Sequence, residues 1–212
     1  MPRLALLLVV ALAATGCASA IDSRFALRGY DARGAGAIKR IAVAAWAPRE
    51  LAGVGELAVQ VATDLVKLRK NYLVKRPAVL EREFAEACDG VEGVLAVRVL
   101  DVQVAGDNVT TRAEASLFRC TDGALLWRTG GALEASSKDA NLQNLAAAYV
   151  DRAGEGARRY AAPLFALLQQ LLAPLPDPVL TDAEIDEKIE LGRGAGGEAP
   201  LVAAAEAHPT GS

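Results

Sequence analysis

The chain has 212 residues and a formal net charge of −3, with 23 Lys and Arg residues against 26 Asp and Glu residues. This slightly acidic balance argues against nucleic acid as a partner, because nucleic-acid binding requires a basic footprint. The length allows one domain of ordinary size with a real hydrophobic core, together with tails.

The N-terminus has the pattern of a secretory signal. Arg3 is followed by an apolar run from Leu4 to Ala14 and then by small and polar residues. A charged segment, an apolar segment and a cleavage site in this order are typical of a signal peptide, and the run is too short to span a bilayer. We therefore expect residues 1–16 to be a signal peptide that takes no part in the fold.

Cys17 is the candidate site of lipid attachment. The sequence ATGC at 14–17 resembles a bacterial lipobox, whose cysteine receives a diacylglyceryl group, although Ala14 stands where lipoboxes usually carry leucine. Residue 18 is alanine and not the aspartate that retains many lipoproteins in the inner membrane, which predicts an outer-membrane protein facing the periplasm. Two alternatives stay open: cleavage by ordinary signal peptidase after Ala20, and a Cys17 that is only a small residue of the signal.

Residues 17–37 have no periodic pattern and end rich in glycine, so we expect a tether ahead of a single α/β domain over residues 38–176. The segment IKRIAVAAWAP at 38–48 predicts a buried strand that stops at a proline. Apolar residues then recur at spacings of three and four, which predicts a helix of about 18 residues. This helix is expected to lie on a sheet, with a coiled coil as the alternative. Its apolar positions are Leu51, Val54, Ala58, Val61, Leu65, Leu68 and Tyr72.

The remaining elements follow from similar signals. YLVKRP at 72–77 predicts a short strand, and Pro77 can start a helix that ends near Gly90. Segments 93–105, 109–120 and 124–136 predict three antiparallel strands joined by turns. Segment 141–172 predicts two helices or one kinked helix, because Pro163 and two glycines interrupt it. In the tail, 177–212, a possible capping box at 181–184 predicts a brief helix, and the end is expected to be disordered.

The predicted order is therefore β-α-β-α-β-β-β-α. The first two crossovers place strands in parallel, whereas the three later strands form an antiparallel meander. The expected fold class is α/β (α+β), with a mixed sheet in one two-layer or three-layer domain and helices on at least one face.

Cys88 and Cys120 are candidates for a disulfide. If the turn at 106–108 joins antiparallel strands, Cys120 lies across from Gly93 or Val94, a few residues after Cys88. In an oxidising compartment, with Cys17 carrying lipid, the two remaining cysteines make one pair. The alternatives are two buried free cysteines or a metal site. The metal site is disfavoured, because no histidine accompanies the two cysteines. The chain's only histidine, His208, is in the tail.

Three features carry a resemblance to a family: the signal with its cysteine, the strand KRIAVAAW at 39–46, and the hairpin LFRCTDGALLWRT at 117–129. From Met1 to about Leu191, the chain resembles uncharacterised envelope lipoproteins best known from myxobacteria and leptospires. Over Ile38–Leu172 its layout is similar to that of the curli-secretion lipoprotein, the lipoprotein activators of penicillin-binding proteins and the N-terminal domain of TolB. The resemblance implies an adaptor without catalytic residues.

The residues show no catalytic or cofactor-binding motif. CxxC, GxSxG, HExxH and phosphate-loop patterns do not occur, and GRGAGG at 192–197 follows no strand and opens no helix. We therefore expect no enzyme activity, no cofactor and no metal. Asp101 lies on a predicted central strand, where either Arg98 would be its partner or solvent would reach it at the strand end. Trp46 and Trp127 are expected in the core.

These observations predict a non-catalytic accessory protein or adaptor of a cell-envelope assembly or transport machine, with an unidentified envelope protein as its partner. Two other function classes stay open. A self-assembling secretion or transport component would form a defined homo-oligomer. A hydrolase of envelope polymers would lose its turnover when one carboxylate is changed.

Overall fold

The computed structural model describes residues 21–34, 36–51, 53–79 and 87–194. Its strands are β1 (Ile21–Ala26), β2 (Arg40–Trp46), β3 (Leu73–Val79), β4 (Gly93–Ala105), β5 (Asn108–Arg119) and β6 (Leu125–Ser136). Its helices are α1 (Val54–Arg69), α2 (Ala140–Ala153), α3 (Arg158–Leu172) and α4 (Asp182–Gly194), with a 3-10 turn over Glu155–Ala157. The predicted mixed α and β fold class is confirmed.

The six strands form one open sheet in the order β1-β6-β5-β4-β2-β3. β2 is parallel to both β3 and β4, as the two predicted crossovers require. The pairs β4–β5 and β5–β6 are antiparallel, which confirms the predicted meander. The pair β6–β1, which was not predicted, is also antiparallel. We call the end of the sheet at which β2, β3 and β4 begin the disulfide end. We call the opposite end, at which β4 turns into β5 at Gly106, the hairpin end.

The main hydrophobic core lies between the sheet and the helices α1, α2 and α3. Helix α1 forms where the apolar spacing predicts a helix, and it buries one face because residues three and four apart share a side. Helices α2 and α3 are separate, which confirms one of the two predicted forms of segment 141–172. The buried apolar residues of α1 include Val54, Leu57, Ala58, Val61, Leu65 and Val66.

Three segments differ from their predictions. Ile21–Ala26, expected in a tether, is an edge strand that pairs with β6. A helix beginning at Pro77 is wrong, because β3 continues to Val79 and pairs with β2 over those residues, while residues 80–86 of the predicted helix lie outside the described residues. The tail contains α4, and this helix contacts β3 and is not a detached element.

The register of the β4–β5 hairpin changes along its length. Next to the turn, Gln103 pairs with Thr110 as expected, but a bulge between Val99 and Asp101 shifts the later pairs by one residue. As a result, Cys120 lies beside Glu92 and not beside Gly93 or Val94, and its amide donates to the carbonyl oxygen of Glu92 at 2.9 Å. A bulge adds one unpaired residue, which a count of residues from the turn does not contain.

Candidate functional site: the two ends of the sheet

The disulfide end is closed by Cys88 and Cys120, which form a disulfide with a Cα–Cα distance of 5.5 Å. The bridge packs on the sheet face opposite to the main core, against the small buried side chains of Ala42, Ala44 and Val94. The bond joins the segment before β4 to the end of β5. It therefore fixes the start of the central strand.

A carboxylate on the loop before β4 organises the same end. Both main-chain amides of Lys39 and Arg40 donate to Glu92 Oε2, at 2.7 and 3.1 Å. The Arg40 guanidinium also donates to Glu92 Oε1 at 3.2 Å. Glu92 thus holds the first residues of β2 through three hydrogen bonds.

Helix α4 is held to this end by ion pairs. Lys39 Nζ donates to Glu184 Oε2 at 2.8 Å, and Arg40 Nη2 donates to Glu187 Oε2 at 2.6 Å. Lys75 Nζ also donates to Glu187. Because α4 follows the whole domain in sequence, these pairs tie the end of the described chain back to β2 and β3.

The predicted capping box is present at the start of α4. The Thr181 amide donates to Glu184 Oε2 at 2.8 Å, and the Glu184 amide donates to Thr181 Oγ1 at 3.4 Å. Hydrogen bonds from Lys39 and from the Thr181 amide lower the pKa of Glu184 to about 2. Hydrogen bonds from Arg40 and Lys75 also lower the pKa of Glu187. Both groups stay ionised at neutral pH, which suits an electrostatic contact and not general-acid chemistry.

A cleft of about 250 Å³ lies nearby, between α1 and the end of α3. The lysine in its lining already has hydrogen-bond partners, because Lys70 Nζ donates to the carbonyl oxygens of Ala173 and Leu175, each at 2.8 Å. Burial lowers the pKa of Lys70. The lining contains no carboxylate, thiol or hydroxyl group; it consists of Leu65, Arg69, Lys70, Gln169, Leu172 and Ala173.

The hairpin end is different in character. Pairing between β2 and β4 stops at Trp46 and Arg98, whereas β4 continues to Ala105. The projecting part of the hairpin carries Leu100 and Val104, which are both exposed. The guanidinium of Arg98 lies 5.6 Å from the centre of the Trp46 ring, within the range of a cation–π contact.

The structure places the two predicted core tryptophans differently. Trp127 is buried, but Trp46 is exposed, so the core assignment of Trp46 is wrong. Trp46 follows Ala45, which faces the main core, and therefore lies on the opposite sheet face, with Ala42 and Ala44. Asp101 is exposed to solvent, one of its two expected environments, and accepts a hydrogen bond of 2.8 Å from Gln103 Nε2.

Cys17 and His208 lie outside the described residues. Within the described ranges, no group of three or more His, Cys, Asp and Glu side chains is placed to hold a metal ion. None of the described helices has the length and hydropathy of a membrane span.

No protein-family model matches the sequence, and no curated protein matches it. Similar solved structures include the PelC dodecamer of Paraburkholderia phytofirmans, at 14% identity and a TM-score of 0.49, over 73% of this chain and 96% of that chain. A lipoprotein of Neisseria meningitidis is 18% identical with a TM-score of 0.38, over 54% of this chain and 96% of that one. A protein of Xanthomonas campestris is 13% identical with a TM-score of 0.35, over 62% and 82% of the two chains. At these values, the likenesses say nothing of activity or partners.

Proposed function

We propose that this protein is a non-catalytic, lipid-anchored accessory protein at the periplasmic face of the outer membrane, attached through Cys17. The observation that carries the proposal is the position of β1, which begins at Ile21, only four residues after Cys17. Four residues reach at most about 14 Å. A lipid on Cys17 would therefore hold the folded sheet itself close to the membrane surface.

The groups at the disulfide end support recognition and not turnover. Glu92, Glu184 and Glu187 are each engaged by lysine or arginine side chains. Hydrogen bonds from these partners lower the pKa of Glu184 and of Glu187. The described cleft is lined by no carboxylate, thiol or hydroxyl group, and its Lys70 donates to two main-chain carbonyl oxygens. A protein built in this way acts by binding, and membrane attachment raises its local concentration around envelope partners.

Helix α4 supplies a surface for such binding. Its inner face carries Glu184 and Glu187, and its outer face exposes Ile185 and Ile189, four residues apart. Residues at this spacing lie side by side on a helix and form an apolar stripe. Acidic side chains lie along the stripe, at Asp182, Asp186 and Glu190. The stripe therefore suits an apolar partner surface with a basic rim.

The first test is the intact mass of the protein isolated from the membrane fraction, compared with a Cys17→Ser variant. We expect a chain that starts at Cys17 and carries the added mass of a diacylglyceryl group, whereas Cys17→Ser leaves the membrane fraction. A native chain with an unmodified Cys17, or one that starts at Ile21, would overturn the lipid anchor.

The second test identifies the class of function by crosslinking in intact cells. We expect a reproducible envelope protein that is lost in Cys17→Ser and reduced when Ile185 and Ile189 are both changed to Asp. Val179→Asp is the matched control, since Val179 is exposed but lies outside the stripe. A product turned over by the purified protein, and lost with one carboxylate, would refute the non-catalytic role.

A self-assembling component is the second candidate. β1 is an edge strand, and in the described part of the chain only its β6 side is paired. An open edge can accept a strand from another copy. Self-crosslinks of one fixed size, without another protein, would favour this candidate over the adaptor.

A further inference from the structure

We propose that the cationic surface beneath α4 is a binding site for an acidic helix of another envelope protein, and that α4 is the competitor within the chain that keeps this site closed. We call this surface the α4 site. It consists of the side chains of Lys39, Arg40 and Lys75 and the main-chain carbonyl group of Lys70. The inference rests on the proposed role in recognition and names the class of partner that the disulfide end receives.

Helix α4 docks on the domain through its polar face. Its apolar residues Ile185 and Ile189 point outward and are exposed, although a helix that belongs to a core buries its apolar stripe. None of residues 182–192 is fully buried. An element with few buried apolar contacts opens at a low free-energy cost. The half-buried inner face consists of Glu184, Glu187, Lys188 and Leu191.

Three cations of the domain converge on two carboxylates of α4. Lys39 Nζ donates to Glu184 Oε2 at 2.8 Å. Glu187 accepts from Arg40 Nη2 at 2.6 Å and from Lys75 Nζ. The two glutamates are three residues apart, so they lie on the same side of the helix. The cations are therefore arranged to receive a helix with the pattern Glu-x-x-Glu.

A further contact extends this pattern by one residue. Lys188 Nζ donates to the carbonyl oxygen of Lys70 at 2.6 Å. Lys70 is the C-cap of α1, where carbonyl groups have no partner within the helix. The α4 site therefore favours Glu-x-x-Glu-Lys over a simple acidic run, because the last position must donate a hydrogen bond.

The α4 site carries positive charge that α4 balances. Among the described residues, Lys39 and Lys75 form ion pairs only with α4. Arg40 pairs with Glu92 as well, at 3.2 Å. When α4 leaves, three cations remain beside this one carboxylate. The site then attracts an anionic ligand and repels a basic one.

Helix α4 competes for the site from a short distance along the chain. Pro178 is buried, and α4 begins at Asp182, four residues later. A short connection of this kind gives α4 an effective concentration on the order of millimolar at the site. A partner helix therefore binds weakly to the wild type and more tightly when the contacts of α4 are weakened.

The test compares the closed and the open site in the full-length protein. The double variant Glu184→Gln, Glu187→Gln removes the carboxylates that hold α4, and we call it the open variant. Asp186→Asn with Glu190→Asn is the matched control, since it makes the same change of charge at exposed positions of α4. The probe is a fluorescein-labelled peptide with the sequence of residues 181–194, and its binding is followed by fluorescence anisotropy. A second probe has glutamine in place of the first two glutamates, and a third is labelled poly-L-glutamate.

We expect the peptide to bind the open variant at least tenfold more tightly than the wild type, and to bind the control variant like the wild type. The glutamine peptide and poly-L-glutamate should bind the open variant at least tenfold more weakly than the peptide does. Adding Lys75→Met to the open variant should remove the gain. Glu187→Gln alone should give a smaller gain, so a folding defect in the double variant leaves a second measurement. No gain in either variant, or an equal gain in the control, overturns the proposal.

Crosslinking in intact cells identifies the source of the helix. We expect the open variant to trap an envelope protein that both the control variant and the open variant with Lys75→Met fail to trap. A gain in self-crosslinks alone would overturn the assignment to another protein and point to α4 of a second copy. If the peptide binds as expected but the mass shows no lipid on Cys17, the lipid anchor fails and the α4 site stands. If the protein is lipidated but the open variant does not bind the peptide, only the α4 site fails.

Discussion

The hydroxyl group of Thr129 in β6 donates a hydrogen bond of 2.9 Å to the carbonyl oxygen of Leu171 in α3, and both residues are buried. Leu171 lies in the last turn of α3, where carbonyl groups have no partner within the helix. Thr129 therefore satisfies a buried acceptor and joins the sheet to the helix layer. We expect Thr129→Val to lower the free energy of unfolding by about 1 to 2 kcal/mol, measured by urea denaturation.

Thr111 supplies the matched control. Its hydroxyl is also buried, but among the described residues it has no hydrogen-bond partner. Thr111→Val keeps the shape and removes a buried polar group, so we expect the free energy of unfolding to stay within about 0.5 kcal/mol or to rise. An equal loss in the two variants would show that the Thr129 hydrogen bond is not the cause.

The disulfide between Cys88 and Cys120 should contribute strongly to stability. It joins residues 32 apart in the sequence. The chain-entropy model gives about 3 to 4 kcal/mol for a loop of that length. We expect the double variant Cys88→Ser, Cys120→Ser to lose about this free energy of unfolding in urea. Reductant should destabilise the wild type by a similar amount and leave the double variant unchanged; a reductant effect on the double variant would contradict the assignment.

Gly53 joins the start of α1 to the end of α2. Its φ is +78°, and a Cβ atom at this position would lie 2.8 Å from the carbonyl oxygen of Ala153. A side chain here would meet both an unfavourable backbone region and a main-chain atom that cannot move away easily. We expect Gly53→Ala to lower the free energy of unfolding by about 2 to 5 kcal/mol in urea denaturation.

Gly90 distinguishes the cost of a positive φ from the cost of the close contact with Ala153. Its φ is +70°, but a Cβ atom there would have no neighbour within 4 Å among the described residues. Gly90→Ala should therefore cost only the backbone term, about 1 to 2 kcal/mol. If Gly53→Ala costs no more than Gly90→Ala, the close approach of α2 to Gly53 is not a constraint on the fold.

The sequence predicts best those elements that have a buried face. β4 has the predicted bounds, Gly93–Ala105, because its valine-rich run ends at a glycine turn. β1 was missed because it is an edge strand whose residues are mostly exposed, so burial imposes no apolar pattern on IDSRFA. The docking of α4 was missed because its acidic residues meet partners more than 100 positions away. In a sequence, such charges look the same as those of a solvated helix.

Trp46 shows the same limit. It follows a run of buried residues in β2, so its position in the sequence indicates the core. In the structure it lies on the same sheet face as Ala42 and Ala44, because side chains alternate along a strand, whereas Ala45 faces the main core. Which face the helices cover decides its exposure, and the run of apolar residues in β2 does not reveal that face.

The attachment of α4 should depend on pH, because its ion pairs lower carboxyl pKa values. The pKa of Glu184 falls from an ordinary 4.5 to about 2 through hydrogen bonds from Lys39 and the Thr181 amide. The pKa of Glu187 is lowered by Arg40 and Lys75. A lowered pKa in the folded state means that the stabilisation is complete above pH 4.5 and is lost as the pH falls towards 2.

We therefore expect α4 to leave the sheet between about pH 4.5 and pH 2 while the core of the domain stays folded. The NMR signals of residues 182–194 would report the release, and carbon-13 titration of the Glu184 carboxyl should give a midpoint near 2. Lys39→Met removes the largest cause of the shift, so it should move this midpoint upward and release α4 at a higher pH. A Glu184 midpoint that stays the same in Lys39→Met would show that the ion pair with β2 does not hold the helix. In that case the apolar and main-chain contacts around β3 would have to account for its position.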